Sequence, residues 1–292
     1  MIAIAPRHFL LLVGITLIWG LNLVVAKVGV GDMPPVLFTA LRFAVLAVLL
    51  LPFLRWHREA MGAIIVVALL VGGLHFALLF IGLARADNIS SVAIATQLGV
   101  PFATLLSIAL LGERVRWRRW SGIGLAFLGV CIMGFDPAVF SQRMSLAFVI
   151  GSAFIGSLGL IAIKRLPPMR PLELQAWIAW ISWPLLLALS LLVEGGQRAG
   201  LASAGWAGWG ALAYTAIFSS LFAHTAYFFL VQRYPVTSIA PLTVLSPVFS
   251  VIFGVLLLGD ALTPRIALGG ACTLLGVLII TLREKQFTDT GS

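Results

Sequence analysis

Residues 91–133, SVAIATQLGVPFATLLSIALLGERVRWRRWSGIGLAFLGVCIM, return without a gap at residues 238–280 as SIAPLTVLSPVFSVIFGVLLLGDALTPRIALGGACTLLGVLII. An offset of 147 positions lays Ala93 on Ala240, Thr96 on Thr243, Phe102 on Phe249 and Leu110-Leu111-Gly112 on Leu257-Leu258-Gly259. Glu113 then meets Asp260, and Leu128-Gly129-Val130 meets Leu275-Gly276-Val277. Each copy is an apolar run, a turn made of glycine and an acid, and a second apolar run. Such repetition declares an architecture before any residue has a task. The runs are long enough to cross hydrocarbon, so the duplication is expected within a bilayer.

Composition points the same way. With 61% hydrophobic and 10% charged residues and a mean hydropathy of +1.10, a soluble fold has no means of hiding the apolar surface. The net charge of +9 would indicate nucleic acid in a soluble chain. Here the charges fall between apolar runs, where they set orientation, so no nucleic-acid partner is expected. Cys131 and Cys272 lie inside apolar runs without a second ligand at metal spacing, and are read as small packing residues. No metal, cofactor or P-loop is predicted.

The apolar runs predict ten spans, at about 8–27, 34–54, 61–83, 89–111, 119–135, 144–163, 172–193, 207–231, 236–258 and 265–282, from a need of roughly 20 residues each. The first begins behind Arg7 and resembles a signal peptide, but it runs on to about Ala26 and is kept as a mature helix. Gly29-Val30-Gly31-Asp32, Pro34-Pro35, Pro167-Pro168, Gly195-Gly196 and Pro235 mark the turns between spans. With the N-terminus placed in the cytoplasm, 13 Lys and Arg fall on the inner side and 5 on the outer. The positive-inside rule therefore places both termini in the cytoplasm.

The duplication extends over the first three spans of each half. The offset of 147 carries span 3 onto span 8, and an offset of 137 carries Gly14 onto Gly151, Leu21 onto Leu158, Lys27 onto Lys164 and Pro34 onto Pro171. The unit is thus five helices, and an odd number forces the second copy in upside down. The expected fold is an all-α integral membrane protein of ten transmembrane helices, two inverted five-helix repeats around a central cavity. The first repeat covers residues 1–138, the second 139–285, and a short cytoplasmic tail 286–292. Inverted repeats around a midplane site are the construction of alternating-access carriers.

Trp19-Gly20-Leu21-Asn22, Lys27, Pro34-Pro35, Leu41-Arg42-Phe43, Gly112-Glu113 and a glycine-rich fifth span carry a family likeness. Together they resemble the EamA branch of the drug/metabolite transporter superfamily over nearly the whole chain. The resemblance implies ten helices in a basket, with a path lined mainly by helices 1, 3, 4, 6, 8 and 9. It also implies export of amino acids or small metabolites across a bacterial-type inner membrane. The second copy departs from the pattern: Gly156-Ser157-Leu158-Gly159 stands where the first has Trp19-Gly20-Leu21-Asn22, and Ala179 where it has Arg42.

Polar groups at membrane depth are costly and mark function. All ten acidic residues fall at span ends or in loops, which argues against a buried carboxylate relay and against a permanently cationic substrate. The substrate-cavity candidates are Trp19, Asn22, His75, Gln97, Tyr214, His224 and Ser246. Amides, imidazoles and aromatic walls suit a neutral or zwitterionic solute with an apolar side chain. His75 and His224 are the deep groups that titrate near neutral pH, so a proton is a candidate coupling ion. Hydrogen bonding to neighbouring backbone is the competing role for both. Arg42 is read either as a substrate charge or as a structural one. Trp177 and Trp180 share a face read chiefly as lipid-facing. Pro101, Pro241 and Pro247 predict kinks or hinges. Lys27 with Asp260, and Lys164 with Glu113, are candidate gate latches exchanged by the repeat.

The reading is therefore a secondary, ATP-independent exporter of small amphipathic metabolites, neutral or aromatic amino acids first. The partners it implies are a small-molecule substrate and the lipid bilayer. A proton-coupled multidrug exporter is the alternative within transport. From other classes, a lipid scramblase would want a lipid-facing polar groove, and an intramembrane enzyme a catalytic set at depth. This chain lacks the acids for the latter, and its histidines lie on separate spans.

Overall fold

Four of the long helices begin on proline, at Pro6, Pro35, Pro171 and Pro264. A first-turn residue has no intrahelical acceptor to lose, and the ring pre-sets its φ. The computed structural model describes residues 5–111, 117–134, 143–234, 243 and 245–282. These form α1 (Pro6–Asp32), α2 (Pro35–Leu49), α3 (Met61–Ala84) and α4 in two arms (Ile89–Thr96 and Gly99–Leu111). After them come α5 (Trp117–Gly134), α6 (Arg143–Arg165) and α7 (Pro171–Val193). The last three are α8 (Trp206–Tyr214, Thr215–His224 and Thr225–Arg233), α9 (Leu245–Leu258) and α10 (Pro264–Leu282). Among the described residues, six helices are long and apolar enough to cross a membrane, and four shorter apolar ones lie in α2, α5, α9 and α10. Among the described residues there is no strand.

Several boundaries differ from the apolar pattern for identifiable reasons. Gly29–Asp32 is helical instead of a turn, and α1 ends only where Pro34 forces Met33 into the extended region (φ −127, ψ 147). Gly29 is needed for packing: a Cβ there would lie 2.2 Å from the Phe38 ring. α2 stops at Leu49, short of the expected 54, because Pro52 cannot donate to an α-helical partner. A short helix, Gln197–Ser203, fills the α7–α8 connection and starts behind Gly196, whose φ of 75 favours glycine. Asn88, in the sequon-like Asn88-Ile89-Ser90, caps α4 by accepting from the Ser91 amide at 3.1 Å.

α3 and α8 both leave α-helical geometry in mid-course. α3 is π-helical over Ala68–His75 and α8 over Thr215–His224. Adding 147 to 68–75 gives 215–222, so the two copies share even this deviation. π-turns inside α-helices gather at functional positions.

Packing follows the same bookkeeping. α1 lies against α8 and α9, while α6 lies against α3 and α4; α2 pairs with α7 and α5 with α10. At the α1–α9 crossing, a Cβ on Gly20 would lie 2.5 Å from Phe249 Cβ, and Ser250 Oγ donates to Gly20 O at 3.0 Å. At the α6–α4 crossing Ser157, which the offset matches to Gly20, donates to Gly99 O at 2.9 Å. α5 and α10 interlock through Gly129 against Thr273 and Gly276 against Ala126, two contacts exchanged by the offset of 147. His57–Glu173 (3.2 Å) joins the end of α2 to the start of α7. The offset of 137 turns that contact into Glu194 accepting from Val36 N at 2.8 Å. Glu194 also accepts from Leu37 N at 3.0 Å, so it is a charged cap on α2.

Candidate functional site

The helices that cross closely leave a central space between them. A cavity of about 410 Å³ is lined by α1, α3, α4, α6, α8 and α9, a size suited to a small metabolite. On α4 it runs from Thr96 to Ser107 and on α6 from Ala153 to Lys164, so it extends from mid-bundle to the C-terminal ends of those two helices. Among the described residues, no Asp or Glu lines it.

The expected residues divide as follows. Trp19, Asn22, His75, Gln97, His224 and Ser246 all line the cavity. Tyr214 does not: its hydroxyl donates to Ile18 O at 3.1 Å, and its ring stacks on Phe218. Tyr227 takes the expected place on the wall, edge-on to Trp19 at 5.1 Å. It lies one turn after His224 and so shares its face, a signal that was present in the sequence. Thr104 and Ser107 of α4 and Ser219 of α8 also line the space.

Two lining amides have unmet bonding capacity. Asn22 Oδ1 and Gln97 Nε2 are buried without a hydrogen-bond partner among the described residues. One is an acceptor lacking a donor and the other a donor lacking an acceptor, a costly arrangement unless a ligand or water completes it. Gln97 stands at the break in α4. Pro101 has no amide for the Gln97 carbonyl, which instead accepts from Val100 N at 3.1 Å. α4 is thus interrupted at Gln97–Leu98, starting four residues before Pro101, and the interruption leaves the Gln97 carbonyl bonded to Val100 N. Pro247 lies in the first described turn of α9, and Pro241 lies outside the described residues.

The histidines close the two π-helical stretches. His75 Nδ1 lies 2.9 Å from Ser152 O, and Ser152 Oγ donates to His75 O at 2.9 Å. This assigns the hydrogen to Nδ1 and leaves Nε2 with the lone pair. Gly156 makes room, since a Cβ there would lie 2.8 Å from His75 Nδ1. On α8, His224 Nδ1 is 2.6 Å from Ser219 O and 3.3 Å from Trp19 Nε1. A single nitrogen cannot donate to the carbonyl and accept from the indole at once, and the shorter contact takes the proton. Trp19 and Gly156 correspond under the offset of 137. The apparent loss of the motif in the second copy is thus the space that the His75 ring occupies.

Arg42 is fully buried and lies behind the wall, outside the lining. Its Nε donates to Ser220 Oγ at 2.6 Å and its Nη2 to Ser219 Oγ at 3.4 Å, while Nη1 has no partner among the described residues. The guanidinium sits 4.4 Å over the Phe76 ring, with Phe80 at 5.5 Å and Phe43 at 5.8 Å. It neither snorkels nor caps a helix.

Of the two latch pairs, only Lys27 and Asp260 are both described. Lys27 Nζ donates to Leu83 O at 3.0 Å, to Ala84 O at 3.2 Å and to Ala86 O, closing over the end of α3. Asp260 accepts from the Ser90 amide at 2.9 Å and the Ser90 hydroxyl at 3.0 Å, at the start of α4. Both therefore go to the α3–α4 junction instead of to each other. Lys164 borders the cavity at the opposite end; Glu113 lies outside the described residues. The indoles of Trp177 and Trp180 donate to Arg55 O (2.7 Å) and Ala47 O (3.1 Å), tying α7 to the end of α2. Both stay outside the cavity.

Comparison with known proteins identifies the bundle. The family described as "EamA-like transporter family" matches residues 7–135 and 143–282. The chain belongs to this family. It is 27% identical over 274 residues to the "Probable amino-acid metabolite efflux pump" of Salmonella typhimurium, covering 91% of each chain. It is 25% identical over 280 residues to the "Uncharacterized inner membrane transporter YedA" of Escherichia coli K12, covering 93% of this chain and 89% of that one. A solved crystal structure, 20% identical, shares the fold with a TM-score of 0.64 over 94% of this chain and 96% of that one. This EamA-family protein is a membrane transporter.

Proposed function

We propose that the transporter exports small zwitterionic metabolites, neutral and aromatic amino acids first, by alternating access across a bacterial inner membrane. The observation that carries this reading is the pair of unpartnered amide atoms, Asn22 Oδ1 and Gln97 Nε2, in a cavity with no acid among its described lining residues and with Trp19 and Tyr227 on its wall. An ammonium meets the need of the first and a carboxylate that of the second, while the aromatic faces accept an apolar side chain. The amino-acid and efflux descriptions of the Salmonella relative favour the same substrate class and direction.

The machine is read as two inverted five-helix repeats, residues 1–138 and 139–285, with both termini and the 286–292 tail in the cytoplasm. The exchange of packing pairs by the two offsets supports that arrangement. In this orientation the cavity extends toward the cytoplasm at Lys164, while Lys27 and Asp260 hold the outer end shut against the α3–α4 junction. Pro101 is the candidate hinge of α4. A proton is the candidate coupling ion, carried on His75 or His224.

The test is reconstitution into liposomes with a panel of labelled amino acids, with and without a pH gradient. Counterflow of phenylalanine or leucine through the purified protein is the expected result. Failure of the whole amino-acid panel, with transport of a cationic drug instead, overturns the reading.

A further inference from the structure

The least explained group in the bundle is Arg42. A guanidinium taken out of water needs a counter-ion or a full set of acceptors. Its described contacts are two serine hydroxyls and three phenylalanine faces, and Nη1 has none. Phe76 and Ser219, which it touches, both face the cavity. The charge therefore stands one side chain behind the wall, where no carboxylate among the described lining residues offsets it. Ser219 completes the connection. Its oxygen is turned to Arg42 Nη2 and its carbonyl is taken by His224, so its hydroxyl hydrogen remains to be given. Donation from a cation polarises that hydroxyl and makes it a stronger donor.

We infer that the α8 wall at Ser219, backed by Arg42, seats one oxygen of the ligand's carboxylate and leaves the other for Gln97 Nε2. The transporter thereby selects small apolar carboxylic acids, with or without an amino group, over the matching amines. This rests on the proposed transport of amino acids but names the part of the molecule that is recognised. Arg42 acts through Ser219 and its field and is a positioning residue. Across ~8–10 Å at an effective dielectric of about 20, the attraction corresponds to roughly a fifteen- to thirtyfold preference for the anion.

The experiment uses the full chain in detergent and two matched sets of probes. One set is phenylalanine, 3-phenylpropanoate and 2-phenylethylamine; the other is leucine, 4-methylpentanoate and 3-methylbutylamine. Binding of both acids in each set, with the amine weaker by at least about tenfold, is expected. Arg42→Gln should collapse the acid-to-amine ratio toward one, and Arg42→Lys should retain most of it. Ser219→Ala, which leaves the charge in place, should lower the ratio several-fold. A merely structural loss would weaken acid and amine alike and leave the ratio unchanged. Amines that bind as well as the amino acids overturn the carboxylate seat and leave amino-acid transport standing. Acids that bind while the amino acids do not would leave the seat standing and remove the amino-acid reading. Binding of none of the six overturns both.

Discussion

Replacing Lys27 with methionine removes the ammonium that covers the end of α3 while keeping an unbranched apolar stem. Three carbonyls, of Leu83, Ala84 and Ala86, lose their donor. A hydrogen bond to a charged group is worth about 1.5–3 kcal/mol. The site is only partly buried, so screening and water reduce the total to about 2 kcal/mol. If Lys27 holds this end shut, that difference moves the closed-to-open ratio roughly thirtyfold. Ala86 is fully buried and reports the opening when converted to cysteine in a background where Cys131 and Cys272 are serine. The assay is the rate of labelling of Ala86→Cys by a membrane-impermeant maleimide added outside sealed cells. Lys27→Met should raise that rate by at least about tenfold, and Lys27→Arg by much less. An unchanged rate in a protein with an unaltered unfolding temperature would refute the latch, and would assign Lys27 to helix capping alone.

Other substitutions test the packing and the proton. Gly129→Ala drives a Cβ to within 2.3 Å of Thr273 Oγ1 and 2.4 Å of Gly269 O. It should cost about 1–3 kcal/mol, seen as a lower unfolding temperature with substrate preference preserved. Glu194→Gln keeps a hydrogen-bonding oxygen over α2 but loses the charge and the second acceptor; a loss of about 1 kcal/mol in thermal unfolding is expected. His75→Ala removes an imidazole whose Nδ1 is committed to Ser152 O and whose Nε2 keeps a lone pair. It should flatten the pH dependence of liposome uptake; an unchanged profile would pass that role to His224.

The helix order was legible because hydrocarbon-length apolar runs have few other uses. The glycine-marked crossings were legible through the repeat. Boundaries slipped where one residue type serves two ends: Gly29 reads as a turn in sequence, yet it is a hole for Phe38. The π-helical stretches were invisible, since widening a turn changes which carbonyl an amide meets and leaves composition untouched. Tyr214 lies before the stretch in α8 and Tyr227 after it, and the three-residue spacing of Tyr227 from His224 was the available mark of the wall. The partners of Arg42 were hidden for a different reason. They come from serines on a helix far along the chain, and a serine in an apolar run carries no mark of the charge it faces.

The pairing of Trp19 with Gly156 has a consequence for how such a carrier idles. A mechanism with two identical halves would be equally content facing either way, like a balance with equal pans. Here one pan holds an indole pressed on His224, and the other only a hydrogen atom beside His75. If the halves trade shapes during turnover, the unloaded protein must lean toward one side, and the slow return step then belongs to one direction of travel.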